Sequence, residues 1–280
     1  MRILVLMTCH SRRNLTLQCI LSAEKSASLA GCTLFWSVTD DGSTDDTSQV
    51  VKDNCQSFLL DQKGGDLYWT RGMKNSWNNA LKIDLRWDFV LWLNDDVELA
   101  EHAIGTLLSD FSDSQVDIVA GHCSDTSQEL STSYGGFKLR GRRPTSYLRT
   151  SPEGILEPID TFNGNVVLMR VAVAQQVSLG DFSHMYGDID FGLKAKSLAF
   201  GLFGSSKYVG ICRRNSAEFP WLNSDLNLRS RLTIFFGPKG LVFLDHLKFH
   251  RTHCGYILGS CLTLVSYVRA LFRVLIIKNE

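Results

Sequence analysis

Residues Phe89-Val90-Leu91-Trp92-Leu93-Asn94-Asp95-Asp96-Val97 decide how this 280-residue chain is read. Phe89–Leu93 is apolar throughout, the pattern of a strand buried on both faces in the middle of a parallel sheet. Upstream of it, short β-branched runs alternate with helical patterns. Strands are expected at Ile3–Met7, Thr33–Thr39 and Ser57–Leu60, and helices at Leu15–Ala30, Asp45–Asn54 and Gly72–Leu85. This alternation is that of a doubly wound α/β fold, in which ligands bind beyond the carboxyl ends of the strands. The residues at those ends are therefore the ones to inspect, and they are unusually polar.

Downstream the pattern loosens. Residues 124–133 are polar, and 134–149 carry Gly135-Gly136, Pro144 and five basic residues, the pattern of an insertion or β-hairpin region. Regular structure is expected again at Asn165–Met169, with helices over Val171–Val177 and Phe191–Ala199 and two or three helical pieces from Leu226 onward. There is no internal repeat and no Pro/Gly-rich linker.

Lys and Arg number 29 and Asp and Glu 29, so the formal net charge is zero. A nucleic-acid binder would show a basic excess, and a disordered chain would pair low hydrophobicity with a large net charge. With 44% apolar residues and only 5 Pro, the chain has the makings of a large core. Neutrality is nonetheless a cancellation: residues 1–190 hold 25 acids and 16 bases, residues 191–280 hold 4 and 13. The eight cysteines include no CxxC pair and read as reduced core thiols. Five apolar residues after Met1-Arg2 are too few for a secretion signal, so a cytoplasmic protein is expected. Arg269 and Arg273 interrupt the apolar stretch Tyr256–Ile277. Such a basic, amphipathic tail over 255–280 suits association with an anionic membrane surface without crossing it; the alternative is a helix packed on the domain.

Three constellations carry chemistry. At the end of Thr33–Thr39 stands Asp40-Asp41-Gly42-Ser43-Thr44-Asp45, where a buried carboxylate can accept the N3–H of a uracil or thymine ring; the alternative is a capped turn. After Phe89–Leu93, the acids of Asn94-Asp95-Asp96 suit Mg²⁺ or Mn²⁺, because a diphosphate substrate completes the coordination shell that one or two carboxylates begin. Asp96 would be the metal ligand and Asp95 a ribose or metal contact; in isolation such a pair more often caps a helix. In His184-Met185-Tyr186-Gly187-Asp188-Ile189-Asp190-Phe191-Gly192-Leu193-Lys194, Asp188 is the candidate general base toward a sugar hydroxyl. Asp190 either shares that role or complements the dipole of the helix that starts there.

Taken in order, DDGSTD, NDD, the Thr161-Phe162-Asn163-Gly164-Asn165 stretch and GDIDFGLKA resemble the inverting glycosyltransferases of family 2, which have the GT-A fold. Asp66-Leu67-Tyr68-Trp69-Thr70-Arg71-Gly72-Met73 and Gly237-Pro238-Lys239-Gly240 are similar to a bacterial rhamnosyltransferase-like subgroup, and the resemblance spans about residues 1–255. It implies that Thr8 and Asp40 or Asp41 hold the base of a UDP- or dTDP-sugar, and that Asn163 and Asn165 line the donor-sugar or acceptor pocket. Asn94 and Asp96 fall on the outer positions of the family's D-x-D metal motif, with a neutral Asn in place of the first Asp, and Asp188 falls on the family's base. The implied domains are a GT-A unit over 1–240, with a nucleotide half (1–100) and an acceptor half (101–240), then a helical tail (241–280).

The implied reaction moves a sugar from a nucleotide-sugar donor to a hydroxyl of a saccharide or lipid-linked saccharide, as in surface polysaccharide synthesis. Lesser candidates are Arg71 for the diphosphate, Arg229 and Arg231 for an acceptor or diphosphate loop, and His253 as a late metal ligand; each reads equally as a surface or structural group. A rival reading, a sugar-1-phosphate nucleotidyltransferase, calls for a Gly-rich loop after the first strand, whereas Thr8-Cys9-His10-Ser11-Arg12-Arg13 contains no Gly. A non-catalytic relative that keeps the fold is the third reading.

Overall fold

In the computed structural model, residues 1–83, 86–126, 131–141, 145–214, 219–238 and 240–277 are described. Four β/α alternations open the chain: β1 (Arg2–Cys9), α1 (Arg13–Leu29), β2 (Thr33–Asp40), α2 (Thr47–Asn54), β3 (Phe58–Gln62), α3 (Tyr68–Ala80), β4 (Phe89–Leu93), the short β5 (Glu98–Leu99) and α4 (Ala103–Ser109). Then come β6 (Ile118–Ser124), β7 (Thr132–Tyr134), β8 (Gly136–Leu139), β9 (Tyr147–Arg149), β10 (Glu157–Pro158), β11 (Thr161–Phe162), β12 (Val166–Arg170) and α5 (Val171–Gln176). The chain closes with α6 (Gly187–Ser197), β13 (Leu202–Ile211), α7 (Leu228–Phe236), α8 (Phe243–Cys254) and α9 (Tyr256–Ile276). The third helix starts four residues earlier than the sequence pattern suggests and ends at Ala80; the expected extension reaches Asp84 and Leu85, which lie outside the described residues, as do Pro144, Lys239 and residues 278–280.

The main sheet runs in the order β10-β13-β6-β12-β4-β1-β2-β3. Strands β3, β2, β1 and β4 are mutually parallel, and β13 is parallel to β6, while β12 lies antiparallel between β4 and β6. The alternation of side chains along each strand divides the core into two layers. Ile3, Val5 and Met7 of β1, Phe89, Leu91 and Leu93 of β4, and Val166 and Leu168 of β12 pack with Cys19, Ile20, Val51 and Ile104 from α1, α2 and α4. Leu4, Leu6, Val90, Trp92, Val167 and Met169 face the opposite way, onto Met73, Val173 and Phe191 from α3, α5 and α6. All five residues of β4 are buried, as a strand covered on both faces requires. The hairpin expected around Gly135-Gly136 takes the form of β8 and β9, which with β11 make a second, three-stranded antiparallel sheet. All eight cysteines are free thiols.

Two glycines fix the sheet's ligand-facing edge. Gly42 has φ +80° and its backbone touches that of Gly64 and Gly65, where a side chain would not fit. Gly72 lets α3 press directly onto Thr8, because a Cβ there would overlap the threonine side chain.

The last three helices and the segments before and between them build a core of their own from Trp221, Leu222, Phe235, Leu241 and Val274. The α8–α9 pair grips the rest of the protein through a buried chain of polar groups. Tyr186 Oη and His246 Nδ1 share a hydrogen bond of 2.6 Å, and His246 Nε2 and Ser266 Oγ share one of 2.5 Å. Burial, reinforced by the neighbouring His250, lowers the His246 pKa from 6.5 to about 4.

Two outcomes are expected. Trp92, 2% exposed and in ring contact with Trp69, Phe162 and Phe191, should cost about 3–5 kcal/mol when changed to Ala, measured by urea unfolding. Leu21→Ala, at a site 52% exposed, should stay within about 0.5 kcal/mol of the parent. For His246 the folded pKa lies below the unfolded one, so between them the unfolded chain binds more protons. Stability should therefore be full above pH 6.5 and fall as the pH drops towards 4. His246→Gln should flatten that slope in pH-dependent unfolding without abolishing it, since burial holds His122 below its ordinary value too.

Candidate active site

The polar ends of β1, β2 and β4 meet the starts of α3 and α6 around one cavity of about 630 Å³. Its lining brings together Thr8, Asp41, Asn94, Asp95, Asp96, Asn163, Asn165 and Asp188 from the sequence reading. Residues 80 and more apart in the chain share this pocket because parallel strands deliver their carboxyl ends to the same edge.

Two adjacent acids on one strand end need a counter-charge. Arg12, at the start of α1, supplies it: one guanidinium nitrogen, Nη1, lies 3.1 Å from Asp95 Oδ1 and 2.8 Å from Asp96 Oδ2. Asp95 is only 5% exposed. Burial pushes its pKa up to about 7 despite the opposing pull of Arg12, with Asp96 adding to the rise. Asp96 also accepts a 3.6 Å contact from the Cys212 thiol. A second cavity of about 660 Å³ lies on the other side of the Arg12–Asp96 pair and is lined by Arg213 and Arg214.

Asp188 sits in the first turn of α6, half-buried. The Gly164 amide donates to its Oδ2 (2.9 Å) and the Ile189 amide to its Oδ1 (2.8 Å). Burial nevertheless raises its pKa above the ordinary carboxylate range, as suits a group that accepts a proton. The preceding residue but one, Tyr186, is held at φ +74°, a left-handed conformation that non-glycine residues rarely adopt. It is pinned by His246 and by stacking on Phe249, 4.5 Å between ring centroids.

Trp69 closes the floor. Its indole Nε1 donates to Asn94 Oδ1 (2.6 Å), its ring meets Trp92 edge-on, and it covers Gly164, where any side chain would overlap the indole. The Asn163 Oδ1 is buried without a hydrogen-bond partner beside Asp188.

The two strand-end acids of β2 are engaged by backbone. Asp41 receives amides of Gly65, Leu67 and Tyr68 at 2.9–3.2 Å, which ties the loop before α3 to the pocket wall and leaves little of the carboxylate for a base. Asp40 accepts from the Ser43 amide (2.9 Å) and the Ser48 hydroxyl, so it caps the turn and lies outside the cavity lining.

Five further candidates stand elsewhere. Arg71 pairs with Asp181 at 3.5 Å on the outer side of α3. Asp190 is buried between Lys194 (2.6 Å) and His253 (2.9 Å), so His253 is brought to Asp190 rather than to Asp96. Arg231 is buried on α7 and donates to the Ile277 carbonyl at 3.0 Å, and Arg229 lines a separate open groove with Leu232 and Phe236. The sequence reading missed Arg12, Trp69 and Tyr186. Trp69 lay inside a quoted motif, but nothing local marks Arg12 as the partner of acids 83 residues away.

Among the described residues there is no cluster of three or more His, Cys, Asp or Glu that would cage a metal. Asp96, Asp95 and the Asn94 amide oxygen, which already accepts from Trp69, form a sparse oxygen set. Such a set fits a hard cation that keeps waters and shares phosphate oxygens with its substrate.

Comparison with known proteins agrees with this fold. The mannosyltransferase PcManGT from Pyrobaculum calidifontis, in complex with GDP-Man and Mn²⁺, superposes with a TM-score of 0.54 at 10% identity, covering 96% of this chain and 75% of that one. TarS 1–349 from S. aureus in complex with UDP-GlcNAc gives 0.56 at 14% identity, covering 98% and 83%. At these identities the likeness is one of fold. No curated protein matches the sequence significantly. The sequence model of glycosyl transferase family 2 matches residues 4–172, more than half the chain and the whole stretch from β1 to β12, and the protein is therefore a member of that family.

Proposed function

We propose that this glycosyltransferase moves a sugar, with inversion, from a UDP- or dTDP-sugar to a hydroxyl of a saccharide or lipid-linked saccharide acceptor. A place in surface polysaccharide synthesis at the inner face of the cell membrane suits that acceptor. One observation carries the reading: a single cavity is lined at once by the strand-end acids Asp95 and Asp96 and by Asp188, whose pKa is raised by burial.

The donor's base is assigned to the region of Thr8 and Asp41, which line the cavity together. Asp96, with Asp95 and Asn94, would hold Mn²⁺ or Mg²⁺, which when bound neutralises charge on the leaving nucleoside diphosphate. Arg12 offsets the charge of the acid pair and lines the same cavity. The donor sugar is assigned to the space between Trp69, Asn163 and Asn165, which line the same cavity.

Asp188 takes the proton from the acceptor hydroxyl as that oxygen attacks the anomeric carbon. An alcohol is a poor nucleophile until its proton is removed, and a base whose pKa is raised toward neutrality holds that proton better than an ordinary carboxylate. The Gly164 and Ile189 amides keep both oxygens of the carboxylate oriented, so the base is aimed rather than mobile.

Asp188→Asn should reduce turnover about 100-fold or more, the contribution typical of a general base, while donor binding followed by thermal shift stays near that of the parent. Asp96→Ala should weaken donor binding as well, and EDTA should mimic it. Full turnover by Asp188→Asn would move the base elsewhere, and EDTA-resistant transfer would remove the metal from the account.

A further inference from the structure

Helix α9 carries an apolar stripe on its outer side in addition to Val274, Tyr267 and Leu271, which pack into the C-terminal core. On the side packed against α8 it presents small and polar groups: Gly259 lies against the backbone of His250, Thr263 Oγ1 stands 3.2 Å from His250 Nδ1, and Ser266 meets His246. On the outer side stand Ile257, Leu264, Val268 and Phe272, at 79, 59, 55 and 60% exposure. These positions recur at helical spacing and form one stripe. An ordinary surface helix keeps its apolar residues for the core and a polar face for water.

The outer stripe has a charged border of one sign. Arg269 and Arg273, both exposed and four residues apart, lie along its edge, and Tyr256–Ile276 contains no acid. Across the whole α8–α9 pair four bases face one acid, and that acid, Asp245, is already taken up by the Ser183 amide at 2.6 Å.

We propose that the outer face of α9 docks on an anionic lipid surface, with Ile257, Leu264, Val268 and Phe272 among the acyl chains and Arg269 and Arg273 at the headgroups. Charge complementarity selects this occupant. A second copy of the chain would bring the same cations with no acid on the helix to meet them, whereas anionic headgroups supply the missing charge. The helix is long and apolar enough to cross a bilayer by length and composition. Its inner side is nonetheless committed to α8 through hydrogen bonds to His246 and His250, so it lies in the interface with the catalytic domain attached.

The test is sedimentation of the full chain with vesicles of phosphatidylcholine alone and of phosphatidylcholine with phosphatidylglycerol. Binding is expected to the mixed vesicles and to weaken with salt. Leu264→Glu/Phe272→Glu should abolish it, with an unchanged Tm showing that these exposed sites leave the fold intact. Arg269→Gln/Arg273→Gln should weaken it about thirtyfold, at about 1 kcal/mol per cation. Asp188→Asn should bind as the parent does, which separates this outcome from that of the catalytic assignment. The proposal is overturned if the mixed vesicles are not preferred, if the Glu pair leaves binding unchanged, if bound protein resists alkaline carbonate as a spanning helix would, or if the Glu pair instead converts a dimer to a monomer.

Discussion

Strand β4 has no exposed face, and the polar groups that follow it lie where it must end, at the carboxyl edge of the sheet. Five apolar residues buried between two helical layers deliver the next three, Asn94, Asp95 and Asp96, to the carboxyl edge of the sheet. Two neighbouring carboxylates in that position repel one another, and one of them is nearly inaccessible to water. The Arg12 guanidinium, touching both, makes the arrangement tolerable. A buried acid left without its partner is strongly destabilising, so the start of α1 and the end of β4 are locked together by charge. The cavity opens on one side of this lock and a second, arginine-lined cavity on the other.

Opposite that lock, Asp188 is positioned by elements far from the sheet. Its turn begins at Tyr186 in a left-handed conformation, a strained geometry that persists only where the surroundings over-determine it. Here they do so from the C-terminal helices, by the stack of Phe249 and the hydrogen bond of His246, itself anchored to Ser266 on α9. The same helix that would sit on a lipid surface is thus tied, through three side chains, to the turn that carries the proposed base.

What the sequence discloses divides along physical lines. The alternation of buried strands and amphipathic helices is a local signal, and β1, β2, β4, β12 and the helices between them stand within a few residues of their expected places. The acids at the strand ends are legible for the same reason. Asp41 and Asp40 show the limit: their type and position fit a base pocket, but only the folded loop reveals that three amides from 65–68 converge on one carboxylate and a turn on the other. Arg12 is invisible locally because its partners lie 83 and 84 residues on. His253 has the chemistry of a metal ligand, yet helix α8 carries it to Asp190, and no pattern along the chain gives that direction. The tail's amphipathicity is readable, whereas which of its apolar residues stay outside requires knowing which side meets α8.

The central claim is that the cavity between Asp96 and Asp188 is where a nucleotide-sugar is held for transfer. A crystal structure with UDP or dTDP and Mn²⁺, using the anomalous scattering of manganese, tests it most directly. The account predicts an anomalous peak within bonding distance of an Asp96 oxygen, diphosphate beside it, and the base toward Thr8 and Asp41. A nucleotide bound outside this cavity, or manganese with no contact to Asp96, would contradict it.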